Sequence, residues 1–496
     1  MKPRRATPPT DDLSMGQIVA FGAIVWPLVI GQQSISFLLP YYSQVIGLPL
    51  ATLGLILTIG RVFDTAWDTG IAYISDNTRS RWGKRRPWIV AGMLMFLPAI
   101  WFLFVPGADA SVTQFTIAVF FFFFAWTMAY IPVLSQATEL TRDNAKRNSI
   151  TLAQGVASTS ALIIGSILPF LLLDQRTADL RASFADTLNN AGLAIPVMID
   201  FLRAAVISGP ERFGKIMLII VWTTSIALPI TLAAYLINVR EAPVSAKAPK
   251  GSVFAALRNR VFQRFFIGYA FMMLGYMGRW GLLPFVVGFV FGATDDLLLL
   301  MLVQNVTAIA ATPLWANLLR RFERVKVVII SALIEASGLL LLAVIGPEQH
   351  GLMYFAFFLM GVPGMTIMLV PYQIAGDCAD YAKWKTRTES RAVHVSLVSL
   401  TKKTGAIWNA ASVGVVGYLG FNPKIADATP EGIALLKGFG LYFPATVLII
   451  GSILVIGFPI TRRRQQALQR RIDRRAAGEA DAPALPEAAL LAGTPT

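Results

Sequence analysis

Apolar runs long enough to cross a bilayer recur along almost the whole of this chain, and no other feature narrows its possible folds as far. A run of roughly 20 apolar residues crosses the hydrocarbon core as a helix, whose backbone groups are bonded within the segment itself. Such runs are read at 15–42, 49–75, 87–105, 113–138, 149–173, 214–238, 262–291, 296–319, 326–345, 350–376, 393–420 and 434–460. Hydrophobic residues make up 55% of the 496 and charged residues 14%, far from the soluble norm. The sequence therefore specifies an all-α polytopic membrane protein of about twelve transmembrane helices. Its expected parts are an N-terminus (1–14), a six-helix bundle (15–238), a linker (239–261), a second six-helix bundle (262–460) and a basic, then disordered, tail (461–496).

Lysine and arginine set the orientation. They fall at Lys2, Arg4 and Arg5, after the second span (Arg79 to Arg86), after the fourth (Arg142, Lys146, Arg147), after the sixth, eighth and tenth, and from Arg462 to Arg475. These are alternate loops plus both ends, which places both termini in the cytoplasm of a cell-membrane protein. The short loops on the other side carry Asp109, Asp295, Asp296 and Glu348. The formal charge of +15 is thus a product of topology. It faces anionic lipid headgroups and gives no ground for nucleic-acid binding. The 461–475 stretch reads as a basic amphipathic helix on that surface.

Cysteine and histidine exclude several chemistries. Cys378 is the single cysteine, so no intramolecular disulfide or cysteine-clustered metal site forms, and His350 and His394 are the only histidines. No clustered nucleophile or metal set of a membrane enzyme is visible, and no cofactor is expected. The first apolar run is longer than a secretory signal core and is read as a retained span.

A weak internal repeat points to two halves. The second span ends in SDNTRSRWGKRRPW and the eighth in PLWANLLRRFERVK, each opening into a short basic loop at the equivalent place in its half. That favours two bundles around a central cavity.

Ionisable residues inside spans cost at least a few kcal/mol unless paired or hydrated, so each one calls for a role. Arg61, Asp64 and Asp68 stand at i, i+3 and i+7 and share one helical face. Two carboxylates and one arginine leave a formal charge of −1. Lys402 and Lys403, inside the eleventh span, are the candidate cations to balance it, and Thr127 offers a hydroxyl. Two aspartates and a threonine suit a hard monovalent cation, Na⁺ or H⁺, which would replace a lysine at the carboxylates. The competing reading is a static ion-pair network that only locks helices together.

Three stretches carry a family resemblance. RVFDTAWDTGIAYISDNTRSRWGKRRPW resembles a signature of the glycoside-pentoside-hexuronide:cation symporters of the major facilitator superfamily, the group that contains the melibiose permeases. GDCADYAKWKTRTESRAVHVSLVSLTKKTG and FAALRNRVFQRFFIGYAF are similar to that family's blocks before spans 11 and 7, and the three keep their expected order. The resemblance implies a major facilitator fold and cation-coupled symport of a small organic solute by alternating access. It implies that Asp64 and Asp68 are cation-site carboxylates, Thr127 a hydroxyl ligand and Lys403 the span-11 lysine, with Lys402 the alternative if the register slips by one. In the family's sodium users an asparagine commonly precedes the second aspartate; here that position is Trp67, which raises the odds of proton coupling. Pro27, Tyr130 and Leu134 stand where melibiose permeases bind sugar hydroxyls, so a galactoside fits poorly and a modified glycoside, an aromatic compound or an amphipathic lipid-like solute is open. Some animal relatives of the family move lysolipids.

The remaining candidates are residues of the cavity and its gate. Arg279, in span 7, is read as a ligand for an anionic group on the solute, or else as the partner of an internal carboxylate or a side chain snorkelling outward. Tyr276, Trp280, Tyr130 and Tyr372 are candidate lining residues, with packing as their alternative role, and Gln32 and Gln33 are polar positions in the first span. Glu335, mid-span 9, has no partner visible in the sequence. GVPGMTIMLVP, residues 361 to 371, predicts a bend in span 10. Asp76 with Arg79, Arg81, Lys84, Arg85 and Arg86 is read as a cytoplasmic gate, or as topogenic charge. Phe120 to Phe124 reads as a lipid-facing or packing run. A functional monomer is expected. A uniporter or proton-driven exporter of the same fold, and a non-transporting sensor or scaffold, are the rival readings.

Overall fold

A backbone cut off from water satisfies its own N–H and C=O groups, and the apolar runs of this chain do so as helices. The computed structural model describes residues 13–107, 109–140, 144–190, 209–239, 256–386, 391–424 and 429–476. The expected N-terminal segment through residue 12, linker residues 240–255, the tail after 476 and Arg142 lie outside the described residues.

The first run is not one smooth helix. It forms α1 (Met15–Ala23), α2 (Trp26–Gln33) and α3 (Ile35–Gln44), closely spaced segments of a 30-residue apolar stretch. A Ser14/Gln17 capping box starts it, each side chain bonding the other residue's backbone N–H. There follow α4 (Leu50–Asn77), α5 (Arg86–Phe104), α6 (Val112–Glu139), α7 (Asn144–Leu173), the short α8 (Ala178–Asn190) and α9 (Glu211–Asn238). Next come α10 (Arg260–Gly278), the one-turn α11 (Leu283–Phe285), α12 (Leu297–Ala310), α13 (Thr312–Arg321) and α14 (Arg324–Val344). The chain continues through α15 (His350–Gly361), α16 (Gly364–Thr386), α17 (Arg391–Tyr418), α18 (Pro430–Lys437), α19 (Phe443–Val455) and α20 (Arg462–Ala476).

Among the described residues ten helices are long and apolar enough to cross a membrane, or eleven if the bent pair Arg260–Gly281 and Leu283–Val290 is one span. The expected eleventh span, at 393–420, is α17 and is not among these. It is 28 residues long, but His394, Lys402 and Lys403 keep it less apolar than the other ten. Two of the later interruptions bear on named residues. The bent pair meets at 49° across a 3₁₀ turn at Arg279–Gly281. Span 10 breaks between α15 and α16 at Val362 and Pro363, where Gly364 takes φ +36°, a left-handed conformation that favours glycine. That break falls in the stretch whose prolines and glycines predict a bend.

Two compact units emerge from the packing. One comprises the described residues of Met1–Ala246 together with Leu283–Leu302 and Ala410–Ile433; the other comprises Lys247–Leu282, Val303–Asn409 and Ala434–Thr496. In the first unit α5 packs along α6, α4 along α6, and α1 and α2 along α7. In the second, α10 packs along α19, and α14 against α15, α19 and α16. Large apolar side chains stay exposed on helix faces, such as Leu55 and Ile59 of α4 and Trp222, Ile226 and Ile230 of α9. A row of that kind is costly in water and stable against lipid tails.

Candidate ion and solute site

Helical period puts Arg61, Asp64 and Asp68 on one face of α4, and the packing of α4 on α6 decides what they meet. Two aromatic contacts one helical turn apart fasten these helices: Phe63 to Phe120 with ring centroids 5.3 Å apart, and Trp67 to Phe124 at 5.1 Å, both edge-to-face. Between them Asp64 is 5% exposed and Thr127 fully buried, and the Thr127 hydroxyl donates to Asp64 Oδ1 at 2.8 Å. Asp68 is half-buried one turn further on. The Arg61 guanidinium lies over the Phe123 ring, 4.5 Å from its centroid. The phenylalanine run of α6 therefore packs the carboxylate helix in place, with Phe122 and Phe123 in the core. Trp67, where an amide would add an oxygen ligand, is turned against Phe124 instead.

On α6 itself Tyr130 stacks on Trp126, centroids 4.4 Å apart, and the buried indole N–H of Trp126 has no hydrogen-bond partner among the described residues. The sequence reading named Tyr130 and passed over Trp126; its signal was the i, i+4 aromatic spacing. Gln32 is half-buried. Gln33, read from the sequence as a cavity residue, has its amide nitrogen on Ser166 Oγ of α7 at 2.9 Å, an interhelical bond that fixes α2 to α7.

In the second unit the Lys402 ammonium lies over Tyr372, 4.7 Å from the ring centroid, and Lys403 is half-buried beside it in sequence. Of the readings of Arg279, the pairing seen is that with an internal carboxylate: its guanidinium is fully buried and Nε stands 2.5 Å from Oε1 of Glu335, also fully buried. Glu335 thereby gains the partner its sequence context did not show. Tyr276 and Trp280 surround the same guanidinium, 5.2 Å and 4.2 Å from its central carbon. His394 and Cys378 are buried packing residues, His394 edge-on to Phe262. Among the described residues no group of three or more His, Cys, Asp or Glu side chains is placed to hold a metal ion.

The description "MFS/sugar transport protein" matches residues 27–462, most of the chain. The chain belongs to that family. Over 451 residues it is 23% identical to the Glucuronide carrier protein homolog of Escherichia coli (strain K12), covering 88% of this chain and 91% of that one. The Sodium-dependent lysophosphatidylcholine symporter 1-B of Danio rerio is 22% identical, with 90% and 85% covered. A crystal structure of a POT family transporter in complex with 5-aminolevulinic acid superposes with a TM-score of 0.60 at 13% identity, covering 89% of this chain and 96% of that one, which shows the shared fold. This MFS/sugar transport protein is a multi-pass membrane protein and a secondary transporter of small organic solutes, not an enzyme. The family is broader than the glycoside-pentoside-hexuronide:cation symporters its motifs resemble.

Two charge clusters of this transporter lie at span ends. After α4, Asp76 pairs with Arg85 at 2.5 Å, Trp88 donates to Thr78 Oγ1 at 2.8 Å, and Arg86 donates to the Leu236 carbonyl of α9. Arg85 is buried, Lys84 half-buried, and Arg79 and Arg81 exposed. The loop is thus folded back within the first unit. A second cluster escaped sequence reasoning: buried Arg212, at the start of α9, bonds Asp174 Oδ2 and Asp295 Oδ1, each at 3.0 Å, while Arg176 pairs with Asp296. Its parts are 38 and 83 residues apart in the chain, beyond the range of any local pattern.

Proposed function

We propose that this transporter couples solute movement to a cation, Na⁺ or H⁺, bound at Asp64 and Asp68 with Thr127 as a further ligand. The observation that carries the reading is the Asp64–Thr127 contact: a carboxylate only 5% exposed, inside a membrane span, accepts from a hydroxyl at 2.8 Å and is followed one turn later by a second carboxylate. An ion there adds to the groups that offset the buried carboxylate charge. Lys403 is the coupling charge of this reading; Arg61 and Lys402 are held over Phe123 and Tyr372. Trp67, packed on Phe124, adds no oxygen ligand and favours the proton, which needs fewer.

The solute binds, in this reading, against the stacked rings of Trp126 and Tyr130, with Gln32 as a polar contact. That surface suits a glycoside with an apolar group or an amphipathic molecule, in keeping with a glucuronide carrier and a lysophosphatidylcholine symporter among the relatives. Transport in this reading is by alternating access, both termini face the cytoplasm, and the Asp76 loop with Arg79, Arg81, Lys84, Arg85 and Arg86 forms part of the cytoplasmic gate.

Thermal unfolding of the purified protein tests the ion site without knowledge of the solute. Wild type and Asp64→Asn are compared with Na⁺ replaced by choline at constant ionic strength, and then across pH in choline. A ligand at ten times its Kd stabilises the native state by about 1.4 kcal/mol. Either Na⁺ or acidification raises the wild-type Tm relative to Asp64→Asn. Equal responses of the two proteins to both would remove Asp64 from the ion site.

A further inference from the structure

The buried pair in the second unit has no part in the reading above, and its surroundings are unusual for a structural ion pair. Arg279 and Glu335 are both 0% exposed and meet at a single contact, Nε to Oε1 at 2.5 Å. Nη1, Nη2 and Oε2 are buried without a hydrogen-bond partner among the described residues. Removing two such ions from water costs several kcal/mol each, and a single contact leaves the attraction close to balance with that cost. Adding a proton to Glu335 removes one of the two buried charges. It strands the other unless the arginine has a second place to rest.

That place exists. The Trp280 and Tyr276 rings lie 4.2 Å and 5.2 Å from the guanidinium carbon, so Arg279 keeps two cation–π partners after its carboxylate is neutralised. Arg279 also opens the 3₁₀ turn Arg279–Gly281, where the span bends by 49°. Interrupted membrane helices free backbone groups and bind ions at their ends. A charge pair at the bend can therefore be linked to movement of the span.

We propose that Glu335 is a proton-binding site of the second unit: Arg279 covers it when it is ionised and rests on Trp280 and Tyr276 when it is protonated. The proton comes from water and bonds a Glu335 carboxylate oxygen; release returns it to water, and no other covalent bond changes. The titratable groups facing Glu335 are Arg279 and Tyr276. Other charged groups on packed elements include Lys437 on the Ala343 carbonyl, His350 beyond the C-terminal end of α14, Arg324 with Asp377 at its N-terminal end, Asp380 and Lys383 on α16, and Arg260 and Arg264 on α10. The site extends the ion-coupled reading by adding a proton in the second unit to the ion at Asp64 and Asp68.

Infrared pH-difference spectroscopy of the full-length purified protein reads a protonated carboxylic acid directly through its carbonyl band. Acidification produces a band that Asp64→Asn retains and Glu335→Gln loses. Trp280→Leu keeps both charges and removes the better aromatic partner, so the band's midpoint falls by ~0.5–1.5 pH units. This variant carries the test if Glu335→Gln does not fold. A full-amplitude band in Glu335→Gln, or an unmoved midpoint in Trp280→Leu, overturns the proposal. A band lost in Asp64→Asn and kept in Glu335→Gln also overturns it, while leaving the Asp64 site standing.

Discussion

Thr127 shows how much one hydroxyl contributes when the group it serves is buried. It is the neutral donor to Asp64 Oδ1, and the carboxylate has little water to turn to when that donor is removed. Thr127→Val keeps the shape and leaves a buried acceptor short of a bond, a cost of about 1–3 kcal/mol. The ion whose binding needs that geometry is then held ~5- to 150-fold less tightly. Titrating the Tm gain against Na⁺ or pH in Thr127→Val measures this; a wild-type curve would remove Thr127 from the ligand set. Arg279 marks the limit of single-residue reading, since its chemistry is set by a glutamate 56 positions away in sequence and by the rings on either side of it.

At the scale of helices, glycines decide how closely α4 approaches its neighbours. A Cβ at Gly54 would stand 2.3 Å from the backbone nitrogen of Gly414 on α17, and one at Gly417 would stand 2.6 Å from the nitrogen of Ala51. Small residues at such crossings let membrane helices gain dispersion contacts along their backbones. Gly54→Val forces the helices apart and is expected to cost about 1–3 kcal/mol. Gly70, on the same helix, has open space where its Cβ would be, so Gly70→Ala gains up to ~1 kcal/mol of helix propensity. Thermal unfolding of the two variants side by side separates packing from propensity; a fall of equal size in both would refute the close-crossing account.

For the whole molecule, charge does two different jobs. Arg212, with a side chain 3% exposed, ties together Asp174 and Asp295, and its loss removes the guanidinium bonded to the buried Asp174 carboxylate. Arg212→Ala is expected to destabilise by about 3–5 kcal/mol. Arg176, 52% exposed beside Asp296, is expected to contribute no more than ~1 kcal/mol to stability. Added salt lowers the Arg176 contribution and barely changes that of Arg212, because screening acts on the exposed pair. The loop cations are instead proposed to set topology. With Cys378 replaced by alanine, Met15→Cys and Arg470→Cys are expected to resist an impermeant maleimide on intact cells and to react after lysis. Labelling of either on intact cells would reverse the orientation.

The sequence by itself determined the all-helical membrane class, the approximate span limits, the shared face of Arg61, Asp64 and Asp68, and the interruption at Pro363 and Gly364. Each of these is a local property: hydropathy accumulates over one segment, a helical face repeats every 3.6 residues, and proline and glycine act on their own turn. Thr127 was offered by its hydroxyl in a facing span and by likeness to known motifs, and the packing of α4 on α6 gave it its contact. What only the tertiary structure decided were the pairings between elements: Glu335 with Arg279, Gln33 with Ser166, Lys402 with Tyr372, and Arg212 with Asp174 and Asp295. A membrane span that must bury a charge is constrained to find a partner, yet its own sequence carries no information about which neighbouring helix supplies one.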